Sequence, residues 1–198
     1  VTFQTADPSK LEPVDPTSPD EWSNFIMGIF TEYAPLIPPG NTCNIRAAFS
    51  GNVPLGSGLS SSAALEVSFA TFLEAFLMDS ADINEKQRAI DRAVKCQHSS
   101  NTFVGVPCGI MDQFVSSAGL EGCALLIDCE SNDYVPVRMG AAPSDNEQAV
   151  IVIANSNVKH SHSTGEYPIR VQQCKDATEA LQKGVDANIS SLRHATMQ

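Results

Sequence analysis

The residues best suited to chemistry lie in one stretch, Pro54-Leu55-Gly56-Ser57-Gly58-Leu59-Ser60-Ser61-Ser62-Ala63-Ala64-Leu65. Gly56 and Gly58 allow positive φ and let a ligand come close to the backbone. Ser60, Ser61 and Ser62 place hydroxyls where an apolar-periodic run begins. A helix start carries unpaired N–H groups and the positive end of the dipole, so this stretch suits an anion, above all a phosphate chain. The competing reading is a serine-capped helix behind a flexible lead-in. No Lys follows the last Gly, which excludes a Walker loop, and no third Gly falls at the Rossmann spacing. The second candidate is Asp112, at the start of a short helix after the turn-rich run Phe103-Val104-Gly105-Val106-Pro107-Cys108-Gly109. An Asp there is ordinarily a cap. Its functional reading is a carboxylate held beside the ligand loop.

The elements that must hold these residues can be read along the chain. Residues 1–17 are rich in Pro and Asp and predict a loop. Ser18-Pro19-Asp20-Glu21 has the form of an N-cap, a first-turn proline and a capping box. Trp22, Phe25, Ile26, Ile29, Phe30 and Tyr33 then recur at helical spacing. The stripe reads as core, with Trp22 at the helix start able to border a ligand pocket. After Pro35, Pro38, Pro39 and Gly40, alternation at Cys43, Ile45, Ala47 and Phe49 predicts a strand with no obvious partner. The helix behind the serine loop carries Leu65, Phe69, Phe72, Leu73, Phe76 and Leu77 on its apolar face, and Glu66 and Glu74 read as solvated. Asn84 caps a third helix with Ala89, Ile90, Ala93, Val94 and Cys96 inward, fading at His98-Ser99-Ser100-Asn101. Cys123–Cys129 and Tyr134–Met139 predict a hairpin turning at Ser131-Asn132-Asp133. Ala149–Ala154 predicts a strand buried on both faces, running into Asn155-Ser156-Asn157-Val158-Lys159-His160-Ser161. A last helix spans about Glu166 to Gly184, with Val171, Cys174, Ala177 and Leu181 on one face.

Composition narrows the function classes. The chain has 198 residues, 42% of them hydrophobic, enough for one domain with a core or one domain and part of another. A net charge of −11 argues against nucleic acid or an anionic membrane as partner. It leaves room for an anionic ligand held by backbone N–H groups. The six cysteines include no C-x-x-C pair, which speaks against zinc and for reduced thiols in a cytoplasmic setting. No signal peptide or membrane-length apolar run is present. The chain starts at Val1 and stops at Gln198 within a helical pattern, so it reads as part of a longer protein.

Three separated stretches resemble the galactokinases of the GHMP kinase superfamily. They are Pro54–Ala63, then Cys108-Gly109-Ile110-Met111-Asp112-Gln113, then Asn155-Ser156-Asn157-Val158-Lys159-His160-Ser161 with Glu166-Tyr167-Pro168. The likeness runs from about Trp22 to about Leu181. It implies an α+β fold: an N-terminal domain similar to domain 2 of ribosomal protein S5, here residues 1–118 and incomplete at its start. The beginning of a second α+β domain would follow in residues 119–198. It implies ATP along Leu55, Gly56, Ser57, Gly58, Leu59, Ser60, Ser61, Ser62 and Ala63, with Trp22 lining the adenine pocket and Phe25 close by. The Ser62 hydroxyl would help hold Mg²⁺. Asp112 would be the catalytic carboxylate beside the C1 hydroxyl of galactose, with Gly109 and Tyr167 touching the sugar. The implied reaction is γ-phosphoryl transfer from ATP to that hydroxyl, and the implied partners are these small molecules alone.

The sequence departs from the family pattern at three places. The first motif, ending in Gly-Glu-His-Thr-Asp-Tyr, is absent, and so is the glycine-rich motif near the family's C-terminus. These absences imply an incomplete enzyme with little activity alone. Ser100 stands where the family usually has a Glu that approaches the metal. That keeps open a galactose- and ATP-binding sensor without catalysis, although the intact Ser61-Ser62-Ala63-Ala64 favours an enzyme. An N-acetylgalactosamine kinase is the other alternative, and Cys108–Asp112 resembles galactokinase more closely.

Overall fold

The computed structural model describes residues 1–3, 5, 7–78, 84–139, 151–154 and 166–195. Its elements are helices α1 (Ser23–Tyr33), α2 (Ser61–Leu77), α3 (Glu85–Ser99) and α4 (Met111–Ala118). Strands β1 (Cys123–Asp128) and β2 (Asp133–Arg138) and helix α5 (Glu166–Gly184) follow. The class is α+β. Two compact units divide the chain, Val1–Lys159 and His160–Gln198.

In the first unit α1, α2 and α3 pack on one another around Ile26, Ile29, Phe30, Tyr33, Val67, Phe69, Ala70, Leu73 and Cys96. A second cluster joins α3 and α4 through Ala89, Ala93, Ile110, Phe114 and Ala118, and Leu125, Ile127 and Tyr134 of the hairpin pack against it. Small residues permit the close approaches. At Gly28 of α1, a Cβ would lie 2.2 Å from Ser99 Oγ and 3.2 Å from Phe103.

The start of α1 differs from expectation. Ser18 Oγ accepts from the Asp20 N–H rather than capping the helix. A run of turns, with Ser23 N–H donating to Asp20 O and Asn24 N–H to Glu21 O, carries the chain to a helix that begins at Ser23. Asn84 caps α3 as expected, its Oδ1 accepting from Lys86 N–H at 3.0 Å. The helix does not fade there: it widens into a π-turn over Ser100–Val104 that ends at Gly105, φ +76°. The hairpin pairs Cys123 with Arg138 through Asp128 with Asp133, antiparallel.

Two expected strands are not formed. Residues 43–49 carry no ladder; of the expected strand 149–154, residues 151–154 are exposed coil, Val152 at 87%, and residues 149 and 150 lie outside the described residues. An apolar strand needs a partner for its backbone groups, and β1 and β2 form the single sheet among the described residues. The run 155–161 lies outside the described residues. Helix α5 forms over the expected span but buries no residue, so the face of Val171, Cys174, Ala177 and Leu181 is uncovered within its own unit.

Glu66 and Glu74 overturn the expectation of solvated positions. Both are buried, Glu66 completely. The inward face of α2 is centred on Ala63, Glu66, Val67, Ala70, Leu73 and Glu74, which leaves Phe72 and Phe76 exposed. Ala63 and Ala70 let neighbouring helices come near, and that rotates the face away from the bulky aromatics. Burial is supported by partners. Glu74 receives Arg92 Nη2 at 2.7 Å, Arg92 Nε at 3.0 Å and the Tyr33 hydroxyl.

Candidate active site at two helix starts

The serine loop leads into α2 without a cap. Gly56, Gly58 and Ser60 have φ of +66°, +74° and +60°. Alternating positive-φ residues turn successive N–H groups toward one side, the arrangement of an anion-binding nest. Ser60 takes a left-handed conformation that costs a non-glycine residue about 1–2 kcal/mol. It stands at the N-cap position, yet its side chain makes no capping hydrogen bond, and no acidic residue lies in the first turn. The serine-cap reading is therefore not what the structure shows. The first N–H groups of α2 thus have no side-chain cap, and no acidic residue in the first turn compensates the positive end of the dipole. Ser57 Oγ donates to Pro54 O at 2.8 Å and tightens the loop. Leu55 is 89% exposed at its outer edge. Leu59 is exposed, while Ser61 and Ser62 are half-buried at the helix start and Ala63 is buried beneath them.

Asp112 occupies the first turn of α4, whose N-cap is Ile110. It is not a cap, so its half-buried carboxylate is free of the ordinary structural duty of such an Asp. Asn101 shapes the loop before it: its Oδ1 accepts from Cys108 N–H at 2.9 Å and its Nδ2 donates to Cys108 O at 3.3 Å. Gln97 Nε2 donates to the same carbonyl. Gly109 is exposed in this loop.

Glu66 joins the two helix starts. Its Oε1 accepts from Ser100 Oγ at 2.6 Å and its Oε2 from Gln113 Nε2 at 3.3 Å. Burial pushes its carboxyl up from 4.5 to about 7, against the opposite pull of those two hydrogen bonds. Burial, aided by the charges of Glu66 and Asp112, also pushes the Cys108 thiol up, although its contact with Gln113 pulls the other way. Glu66, Asn101 and Gln113 were not among the expected site residues, whereas Ser100 had already been singled out in the sequence as a departure. A helical wheel offered one signal, since Glu66 lies on the same face as Ala63 and Ala70.

Trp22 is 44% exposed and meets Phe49 edge-to-face, ring centroids 6.4 Å apart. Both line a cavity of about 950 Å³ with Phe3, Ile26, Ile45 and Phe69; Phe25 is not among its lining residues. Tyr167 begins α5 in the other unit and is partly exposed. Among the described residues no three His, Cys, Asp or Glu side chains form a metal cluster. Mg²⁺ characteristically takes one or two protein oxygens and fills its octahedron with phosphate and water. The Ser62 hydroxyl, half-buried in the first turn of α2, fits such a minor share. Ser100 does not add to it, because its hydroxyl is turned to Glu66.

Residues 24–120 match the family described as GHMP kinases N terminal domain. Residues 24–120 thus carry a GHMP kinase N-terminal domain. The chain is 41% identical over 177 residues to a galactokinase of Homo sapiens, which covers 89% of this chain and 41% of that protein. A Bos taurus galactokinase is 40% identical over 176 residues, with the same coverage of each chain. A galactokinase of Bacillus subtilis (strain 168) is 34% identical over 170 residues, 84% of this chain and 40% of that protein. The chain thus spans about two fifths of the length of these relatives. The fold is shared with the crystal structure of Lactococcus lactis galactokinase complexed with galactose, at a TM-score of 0.66 and 23% identity. That match covers 94% of this chain and 44% of the other. Among the described residues, no helix is long and apolar enough to cross a membrane.

Proposed function

We propose that the full-length protein containing this chain phosphorylates galactose at its C1 hydroxyl, using MgATP, in the cytoplasm. The observation that carries this reading is the junction of two helix starts: an uncapped, serine-led N-terminus of α2 and the Asp112 turn of α4, bridged through Glu66 and Gln113. The similarity to galactokinases supports galactose as the sugar and ATP as the co-substrate. Phosphoryl transfer asks mainly for positioning and charge neutralisation. The N–H groups from Gly56 to Ala63 would hold the phosphates as preorganised dipoles. Asp112 would orient the sugar hydroxyl and receive its proton. Mg²⁺, with Ser62 as a ligand, would neutralise phosphate charge. Gly109 and Tyr167 would contact the sugar, and Trp22 the adenine. We read residues 1–118 as the N-terminal domain and 119–198 as the start of the C-terminal one.

The test is galactose-dependent ADP release by the full-length protein beside its Asp112→Asn variant. A loss of about 10²–10⁴-fold in kcat is expected. Equal turnover by the variant refutes the role of Asp112. One observation favours a second reading, a sensor that binds galactose and MgATP without turnover: Ser100 supplies no carboxylate and spends its hydroxyl on Glu66. Binding of both ligands without ADP release decides for it.

A further inference from the structure

We propose that Glu66 is a positioning residue for phosphoryl transfer, whose buried carboxylate fixes the serine-led start of α2 against the Asp112 turn of α4. The inference rests on the kinase reading above. Glu66 lies one turn beyond Ser62 and on the same side of α2. Gln113 is the neighbour of Asp112 in the first turn of α4. Ser100 opens the π-turn that feeds the Asn101-clamped loop around Cys108. Three segments that carry or aim the proposed site therefore meet on one side chain. Ser100 and Gln113 are themselves 3% and 2% exposed.

The dependence on Glu66 is sharpest at Gln113. Its Oε1 is buried without a partner among the described residues, and its Nε2 has as its other contact there the Cys108 sulfur at 3.7 Å. The carboxylate of Glu66 is thus the group that sets the rotation of the Gln113 side chain. Helix α4 has eight residues, about two turns, so slack at Gln113 passes directly to Asp112. A displacement of about 1 Å in a reacting group can cost about 10²-fold in rate. The two donors approach opposite oxygens of one carboxylate, so both the length and the planarity of the side chain matter.

The experiment measures kcat and both KM values for the full-length protein and its Glu66→Asp, Glu66→Leu and Glu66→Gln variants, with folded fraction measured alongside. Asp is one methylene short of spanning both donors, and Leu offers no acceptor. Both are expected to lose about 10–100-fold in kcat per folded molecule while each KM stays within about threefold. Gln can accept from Gln113 and donate to Ser100 Oγ, whose hydroxyl serves as either donor or acceptor. It is expected to hold kcat within about threefold of the parent. A purely structural role lowers the folded fraction and leaves kcat per folded molecule alone. Unchanged kcat in Glu66→Asp, or Gln as damaging as Leu, overturns the proposal. If Glu66→Leu does not fold, the Asp and Gln variants decide. An unsubstituted protein without turnover overturns the kinase reading and the proposal together, whereas an active parent with an active Asp variant overturns the proposal alone.

Discussion

Replacing Glu66 with Gln should stabilise the protein, and more so as pH rises. Glu66 is fully buried, and its carboxyl stands at about 7 in the folded chain against an ordinary 4.5. Desolvation is the cause, and the hydrogen bonds from Ser100 and Gln113 offset it only in part. The folded state therefore binds this proton more tightly than the unfolded state. Its contribution to stability is complete below about 4.5 and is lost as pH rises through about 7. Moving from 4.5 to about 7 at roughly 1.36 kcal/mol per pH unit corresponds to about 3 kcal/mol. The Cys96 and Cys108 thiols near Glu66 are both raised by burial and stay neutral across this window. The Gln variant has no proton to lose. Urea unfolding of both proteins between pH 5 and pH 8 should show the variant gaining about 2.5 kcal/mol relative to the parent, the part of the shift that falls in that interval. A difference that is constant with pH, or that shrinks as pH rises, refutes the assignment of a costly buried carboxylate.

The Glu74 cluster should behave oppositely. Glu74→Ala strands Arg92 and the Tyr33 hydroxyl and should cost about 3–5 kcal/mol in denaturant unfolding, against about 1 kcal/mol for Tyr33→Phe. Equal, small effects would show that the pair is not desolvated as described. Ser99 Oγ is buried without a partner among the described residues, so Ser99→Ala should be neutral or stabilising by up to about 1 kcal/mol; a clear destabilisation would refute this. Gly28→Ala drives a methyl toward that same oxygen and should cost about 1–3 kcal/mol, partly relieved when Ser99→Ala is added. Simple additivity in that double-mutant cycle would contradict the contact.

The local chemistry of this protein was legible in its sequence. Asn84 announces α3 because its short side chain can satisfy an orphan N–H, and the sequence 123–139 announces a hairpin because its apolar runs flank turn residues. The glycine–serine loop and Asp112 stand out as candidates because their spacing places flexible backbone and a carboxylate at two helix starts, which the structure has at Ser61 and Met111. Periodicity also found the helix behind the loop, but only part of its buried face. Phe69 and Leu73 lie in the core and Leu65 and Leu77 pack against it as expected, whereas Phe72 and Phe76 are exposed and Ala63, Glu66, Ala70 and Glu74 are buried. A one-dimensional pattern ranks residues by transfer cost, and a lone Glu ranks as solvated. Only packing reveals that Arg92, eighteen residues away, or Ser100 and Gln113, on other elements, supply what water would have given. The same holds for Ser60, whose cap-like identity gave no hint of its left-handed backbone and unused hydroxyl. Residues 43–49 and 151–154 show the converse. Alternation and apolar runs state a preference for strand, but a strand exists only where another backbone completes its hydrogen bonds.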